Sequence, residues 1–259
     1  MSQPEAVPIA KDFATKALTL DSTLSEALTS LGFTQSDFDY DWMTSKRTLK
    51  KAIQYNSNYS RAYLFYGNLL QYTGEDSAEG IKELKKALSL DPLSKNLNYV
   101  LGRNYYYAKK YDASAMQLRK TLALDPSFHL AQGNLVFVLL AQKNFTEAFR
   151  AVEAIDTTVV YKRLYNKATT LSYVYAVSGD KTSAKSELEK SMAKNADQSP
   201  YNIAQVYVAL GDYNKALDKL EQAYQVRDVW MYAFKVDPAF DPIRNEPRFK
   251  ALLKKMNLE

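Results

Sequence analysis

Few side chains in this sequence have the type and spacing that catalysis requires. The chain has one histidine, His129, and no cysteine, so neither a familiar zinc site nor a cysteine nucleophile can be assembled. His129 follows Pro126-Ser127-Phe128 at the start of a predicted helix, where an exposed or capping role is expected. The serines lack a base partner, and no glycine-rich phosphate loop follows a predicted strand. We therefore predict that the chain is not an enzyme and needs no cofactor.

One cluster of carboxylates has a spacing that suggests metal binding. Asp37, Asp39 and Asp41 alternate as they do at the start of a calcium-binding loop. The glycine and the closing bidentate glutamate of such a loop are missing, because Trp42 and Thr48 occupy those places. The sequence therefore predicts no metal site.

Residues 92–126 show the pattern that organises the rest of the chain. Proline cannot donate a backbone hydrogen bond inside a helix, so Pro92 and Pro126 mark the ends of a helical unit that repeats after 34 residues. Within the unit, two sets of residues recur at helical spacing on either side of a polar break at 109–112. These are Leu97, Leu101, Tyr105 and Ala108, then Ser114, Leu118, Thr121 and Leu122. The unit is predicted to be a helix, a turn and a second helix.

The same second-helix pattern, a small residue followed at i+4 and i+7 by two packing residues, returns along the whole chain. The triplets are Ala10/Ala14/Ala17, Ser45/Leu49/Ala52, Gly80/Leu84/Ala87, Ser114/Leu118/Thr121, Ala148/Val152/Ile155, Ala184/Leu188/Ser191 and Ala216/Leu220/Ala223. Their first members are 35, 35, 34, 34, 36 and 32 residues apart. Small residues also recur in the first helices at Gly32, Gly67, Gly102, Ser172 and Ala204, with Val136 as the exception. A fixed period of this kind predicts stacked helix pairs.

This period and these residue types resemble the tetratricopeptide repeat (TPR), with Leu-Gly at Leu31-Gly32 and Leu101-Gly102 and Asp-Pro at Asp91-Pro92 and Asp125-Pro126. The resemblance implies an all-α, right-handed superhelix of about six helix pairs. A coiled coil would need sustained heptads without these proline and glycine breaks. A sheet protein would need alternating strands, which the sequence lacks.

Composition and charge limit the partners and the cellular location that we expect for the chain. The formal net charge of +5 is modest for 259 residues, and lysine and arginine are interspersed with glutamate in the second helices, which is typical of a solvated face. A nucleic-acid groove would instead concentrate bases on one stripe, so nucleic acid is not the expected partner. No apolar run approaches a membrane span, and residues 1–10 have no export signal. We expect a cytoplasmic location, or a periplasmic one if the chain is attached to a membrane-anchored regulator.

A solenoid buries each repeat only against its neighbours, so residues 1–259 are predicted to form one domain. Residues 6–21 form a half repeat, residues 22–227 form six TPR-like pairs, and residues 228–259 form a C-terminal cap. Within the cap, the apolar side chains expected to cover the last pair are Trp230, Phe234, Phe240, Ile243, Phe249 and Leu253. At 156–160 the Asp-Pro ending is lost, so a longer loop and a changed superhelical path are expected there.

Two stretches resemble the TPR tails of bacterial signalling proteins. The first is Phe38-Asp39-Tyr40-Asp41-Trp42, and the second is Val236-Asp237-Pro238 followed by Phe240-Asp241-Pro242 and Arg248-Phe249. In that group the attached effector is a winged-helix DNA-binding domain, a nucleotide cyclase or a protein kinase. The resemblance implies a sensory or regulatory role with such an effector as a further partner; an N-terminal half repeat fits either a fragment or a capping helix.

In a TPR superhelix the first helices line a concave groove. The groove residues predicted from the spacing are Arg61, Asn68, Tyr72, Tyr99, Arg103, Tyr106, Tyr107 and Phe137. Tyrosine and arginine are enriched where interfaces concentrate their binding energy, although a chain with 20 tyrosines has some at its surface by composition alone. Asn68 and Arg103 also resemble the residues with which some co-chaperone TPRs hold a terminal carboxylate, without the full set.

The predicted function is therefore a non-catalytic scaffold that binds a protein or peptide, in the sensory or regulatory part of a bacterial signalling protein. Two alternatives remain open. One is a nucleic-acid-binding helical repeat, and the other is a self-association scaffold whose groove holds a missing N-terminal part of the chain or a second copy.

Overall fold

The computed structural model describes residues 3–155, 166–194 and 198–259. Within these ranges the secondary structure is helical, and no strand occurs. The helices are α1 (Gln3–Leu20), α2 (Ser25–Asp37), α3 (Trp42–Tyr55), α4 (Ser60–Thr73), α5 (Ser77–Leu90), α6 (Lys95–Tyr107), α7 (Tyr111–Leu124), α8 (His129–Ala141), α9 (Phe145–Glu153), α10 (Lys167–Ser178), α11 (Lys181–Lys194), α12 (Pro200–Leu210), α13 (Tyr213–Gln225) and α14 (Pro247–Lys255), with 3-10 helices at Met231–Ala233 and Pro238–Ile243.

From α2 onward, each even-numbered helix packs on the helix that follows it, which gives the pairs α2/α3, α4/α5, α6/α7, α8/α9, α10/α11 and α12/α13. The first helix of one pair also packs on the first helix of the next, as α2 does on α4 and α4 on α6. Helix α1 packs on α2 as a half repeat. The predicted all-α superhelix of stacked pairs is confirmed.

Large side chains of each second helix pack against the small residues of its paired first helix. A Cβ placed on Gly32, Gly67 or Gly102 would come within 2.6, 2.8 and 2.9 Å of neighbouring atoms, the leucine side chains of the paired helix among them. Ser45 and Ser114 donate hydrogen bonds of 2.7 Å to the carbonyl oxygens of Gly32 and Gly102. From α3 onward every residue of the predicted triplets in the described ranges is buried. The residues that the sequence period assigns to the helix interfaces are therefore the ones that pack there.

In five of the six pairs the second helix begins with an aspartate or asparagine side chain that accepts a backbone hydrogen bond, whereas Lys110 before α7 makes no such cap. Gly179 and Gly211 have φ of 101° and 83°, and the aspartates that follow them accept hydrogen bonds from the backbone of the next helix. Lys109 and Lys143 adopt the same left-handed conformation in other pairs, with φ of 57° and 59°. A Gly-Asp turn thus joins the helices of two pairs, and lysine takes the glycine position in two others at the cost of some backbone strain.

The predicted phase slip at 156–160 lies outside the described residues. On either side of it, α10 packs on α9 and α8, so the stack of pairs continues across this position.

After α13 the chain leaves the repeat pattern. Of the six side chains predicted to cap the last pair, five are buried and Leu253 is partly buried. The 3-10 helix Pro238–Ile243 packs on α12, and α14 packs on α13. We call residues 226–244 the C-terminal segment, because its further contacts extend well beyond the last pair.

Candidate functional site

The C-terminal segment crosses the faces of first helices from several repeats. The Tyr232 ring lies 4.6 Å, centroid to centroid, from the Tyr72 ring of α4. Its hydroxyl accepts a hydrogen bond of 2.7 Å from Arg103 of α6. Further along, the buried Asp237 carboxylate accepts 2.8 Å hydrogen bonds from the Tyr201 hydroxyl and the Gln205 amide of α12. One short stretch therefore joins α4, α6 and α12.

Arg103 is the centre of this contact. Its guanidinium donates to the hydroxyls of Tyr72, at 2.5 Å, and Tyr232, and reaches that of Tyr99 at 3.5 Å. The same group lies 5.2–5.9 Å from the centroids of these three rings. Only 8% of Arg103 is exposed. A buried arginine needs hydrogen bonds and aromatic faces to replace its hydration, and the three tyrosines supply them.

The first complete helix pair, α2/α3, also meets the C-terminal end of the solenoid. Trp42, at the start of α3, donates an indole hydrogen bond of 2.6 Å to the backbone carbonyl of Met256. Asn257 donates to the Tyr40 carbonyl at 3.2 Å, and the Tyr40 ring stacks on Tyr224 with centroids 6.1 Å apart. The solenoid thus closes on itself, with its C-terminal end against this pair.

These contacts change the surroundings of the predicted groove residues. Arg61 is exposed, whereas the other seven, Asn68, Tyr72, Tyr99, Arg103, Tyr106, Tyr107 and Phe137, have exposed fractions of 9% or less. Tyr105, predicted to be the packed member of the three consecutive tyrosines, is half-buried while its two neighbours are buried. Helical spacing places the residues on one face, but it cannot show that a segment more than 120 residues away covers that face.

The predicted residues divide into two groups. Arg61, Asn68, Tyr72, Tyr99 and Arg103 line an open cavity of about 580 Å³. We call this cavity the N-terminal pocket. The remaining three line a small cleft of about 20 Å³ together with Tyr201 and Asp237.

The N-terminal pocket has walls from both ends of the chain. Helices α2, α4 and α6 form one side, and the C-terminal segment forms the other. The pocket residues that the sequence analysis missed are Phe33, Asp37 and Phe38 near the end of α2, and Arg227, Asp228, Val229 and Tyr232 in the segment. The resemblance of 38–42 and 236–249 to one protein group pointed to both regions, but not to their meeting.

Asn68 and Arg103 are engaged within the chain. The Asn68 side-chain oxygen accepts a 2.9 Å hydrogen bond from Asn104, and Arg103 donates to the tyrosines described above. The carboxylate-holding set that these two residues resemble is therefore not assembled around them in this conformation.

Asp37 introduces a carboxylate into the pocket wall, on a residue that is half-buried overall. Burial raises the pKa of Asp37 to about 6, opposed by a hydrogen bond from Ser36 and by the charge of Arg103. Its ionised form is thus disfavoured by its surroundings, and the pocket can change its charge near pH 6.

The described part of the chain contains no group of three or more His, Cys, Asp or Glu side chains placed to hold a metal ion. His129 is half-buried at the start of α8, and burial lowers its pKa. None of the helices in the described ranges has the length and apolar character needed to cross a bilayer.

Comparison with known proteins agrees with this architecture. Residues 99–157 and residues 199–228 each match a family model described as tetratricopeptide repeat. A search of curated protein sequences finds no match.

Several solved structures share the fold. A tetratricopeptide repeat protein from Parabacteroides merdae is similar with a TM-score of 0.64 at 18% identity, over 97% of this chain and 92% of that one. The MamA protein is similar with a TM-score of 0.51 at 18% identity, over 79% and 96%. YrrB, described as a TPR protein with an unusual peptide-binding site, has a TM-score of 0.50 at 17% identity, over 80% and 97%. Residues 99–157 and 199–228 of this chain are thus tetratricopeptide repeats, and its stacked pairs have the fold of tetratricopeptide-repeat proteins.

Proposed function

We propose that this chain is a non-catalytic scaffold that binds a protein or peptide in the N-terminal pocket. The observation that carries the proposal is the pocket itself. It stays open although the C-terminal segment packs on α4, α6 and α12 beside it. Its volume of about 580 Å³ lies within the roughly 300–1,000 Å³ typical of binding sites.

The pocket wall has the composition of a binding surface. The rings of Phe33 and Phe65 lie 4.8 Å apart, centroid to centroid, and Arg61 lies over Phe65 at 5.9 Å. Val229 is 39% exposed at the opposite wall. Aromatic and arginine side chains at a partly desolvated surface are the residues that contribute most to protein interfaces. The peptide-binding site named for YrrB is consistent with a peptide partner for this fold.

The proposal includes a regulatory role in a bacterial signalling protein of the cytoplasm. The two stretches that resemble signalling-associated TPR tails support it, because both make contacts that hold the C-terminal end of the solenoid in place. Trp42 of the first stretch contacts Met256, and Asp237 of the second contacts α12. An effector domain attached to such a closed module would be its second partner.

The test is a selection of random phage-displayed peptides on the immobilised full chain, followed by binding measurements on two variants. Val229→Trp fills the pocket and should weaken binding of a selected peptide at least tenfold. Met116→Trp is the matched control, since Met116 is 68% exposed on α7 outside the pocket. Equal binding by both variants, or a selection that enriches no peptide, would overturn the proposal.

A further inference from the structure

The arginines of the N-terminal pocket differ from three arginines elsewhere in the described part of the chain. Arg119, Arg244 and Arg248 each form an ion pair with a carboxylate at 2.6–2.9 Å. Arg61 and Arg227, both exposed at the pocket, form no ion pair among the described residues. Their recorded contacts are with the rings of Phe65 and Phe38, at 5.9 and 4.1 Å from the centroids, and with the Phe38 carbonyl.

Arg103 lies in the wall of the same pocket and is also without an ion pair in the described part of the chain. Its Nε is buried and has no hydrogen-bond partner. An anion brought near a buried cation lowers the cost of its burial. Three guanidinium groups without an ion pair among the described residues thus line one cavity, and Asp37 acts on Arg103 through its charge alone.

Three aspartates line this pocket too, and their environments differ from those of the arginines. The Asp228 carboxylate already has hydrogen-bond partners within the chain. It accepts hydrogen bonds from the Ser199 hydroxyl at 2.6 Å and from the backbone amides of Tyr201 and Trp230. Asp37 accepts from Ser36 in a half-buried position. Asp91 is exposed at the pocket, as Arg61 and Arg227 are, and water screens all three charges. The exposed charges of the pocket are therefore two cations and one carboxylate.

From this arrangement we infer that the N-terminal pocket selects an acidic peptide segment, whose side-chain carboxylates lie between Arg61 and Arg227 while its apolar side chains pack on Phe33, Leu64 and Val229. This inference rests on the proposed function and names the partner's chemistry. Arg61 belongs to α4, and Arg227 follows α13. A carboxylate that bridges them would also hold the two ends of the solenoid together.

The test uses two fluorescein-labelled peptides of about ten residues, both with amidated C-termini, that alternate glutamate or glutamine with phenylalanine. We expect the glutamate peptide to bind the full chain more tightly than the glutamine peptide by at least fivefold. Raising NaCl from 50 to 300 mM should reduce this preference, because exposed charges are screened. A glutamine peptide with a free C-terminus shows whether a terminal carboxylate suffices; equal binding by that peptide would contradict side-chain recognition.

Charge variants of the protein show which side chains recognise the glutamate peptide. Arg61→Gln and Arg227→Gln should each weaken the glutamate peptide by roughly three- to fivefold, the usual size of an exposed charge contact. Asp91→Asn should strengthen it. Arg47→Gln is the matched control, because Arg47 is exposed on α3, forms no ion pair among the described residues and lies outside the pocket.

The outcomes separate the two proposals. Equal binding of the glutamate and glutamine peptides, lost in Val229→Trp, overturns the acidic preference and leaves peptide binding at the pocket in place. No binding of either peptide counts against both. An equal effect of Arg47→Gln, or equal binding of a single-stranded oligothymidylate, would show general attraction of anions and overturn the inference.

Discussion

The indole Nε1–H of Trp42 donates a hydrogen bond to the main-chain carbonyl oxygen of Met256, with 2.6 Å between the two heavy atoms and 214 residues between them in sequence. In an open solenoid each repeat contacts only its neighbours, so stability is a sum of local terms. This contact joins the N-terminal end of α3 to the end of the chain. The protein therefore has at least one interaction that depends on every repeat between the two ends.

Trp42→Phe should weaken this closure. The change keeps an aromatic ring in a buried position and removes the donor, which leaves a buried carbonyl without its partner and costs about 1–2 kcal/mol. Hydrogen–deuterium exchange should increase in α14 and near Tyr40, while α8 stays protected. Unchanged exchange in α14 would show that the hydrogen bond does not hold the two ends together.

Tyr232→Phe tests the anchoring of the C-terminal segment on Arg103. Loss of the hydroxyl removes an acceptor from a buried guanidinium, and we expect the free energy of unfolding to fall by about 1–2 kcal/mol. Tyr213→Phe is the control, since Tyr213 is 39% exposed and should tolerate the change. Equal urea midpoints for the two variants would mean that Arg103 is satisfied without Tyr232.

Asp37→Asn should stabilise the protein at neutral pH. Because burial raises the pKa of Asp37 from 3.8 to about 6, the folded chain binds this proton more tightly than the unfolded chain does. The resulting stability is fully present below pH 3.8 and is lost as the pH rises through about 6. At pH 7.5 the variant should gain roughly 1–2 kcal/mol after allowance for screening by solvent.

Urea unfolding of wild type and Asp37→Asn between pH 4 and pH 8 measures this gain. The difference between the two proteins should be smallest near pH 4, where the folded wild-type carboxyl is protonated and only the unfolded one is partly ionised. The other buried carboxylate, Asp237, is present in both proteins and cancels from the difference. A difference that does not vary with pH would show that Asp37 keeps an ordinary pKa.

Two glycines of the first helices should respond differently to alanine. A Cβ on Gly67 would lie 2.8 Å from the main-chain oxygen of Gly80, whereas a Cβ on Gly102 would meet the side chain of Leu118 at 2.9 Å. Backbone cannot move without separating the paired helices, but a leucine side chain can shift. Gly67→Ala should therefore cost about 1–3 kcal/mol.

In Gly102→Ala, the clash should be offset in part by the helix preference of alanine, which is worth about 1 kcal/mol over glycine. The larger Gly102→Leu should destabilise clearly. Urea unfolding of the three variants gives the order. If Gly102→Ala were the more damaging of the two alanine variants, the backbone approach of Gly67 to Gly80 would not be the limiting contact.

The sequence by itself determined the fold class, the number of pairs and the packing phase. These properties follow from local periodicity, because each second helix repeats a small residue with packing residues at i+4 and i+7, and each pair needs only its neighbours to bury that face. Ser45, Leu49 and Ala52 illustrate this, since all three are fully buried at the positions that the period assigns. The turns at Gly179-Asp180 and Gly211-Asp212 also follow from the sequence, because they depend on adjacent residues alone.

The tertiary structure alone decided which predicted groove residues remain accessible. Arg61 and Tyr106 were assigned to one surface by the same helical spacing, yet Arg61 is exposed and Tyr106 is 6% exposed. The difference arises from Tyr232, Asp237 and the rest of the C-terminal segment, whose position depends on the curvature accumulated over all the repeats. Small rotations between successive pairs add up to that curvature, and a local sequence pattern does not specify their sum. For the same physical reason, the meeting of Arg227 with Phe38 at the N-terminal pocket was decided by the folded chain and not by its sequence periodicity.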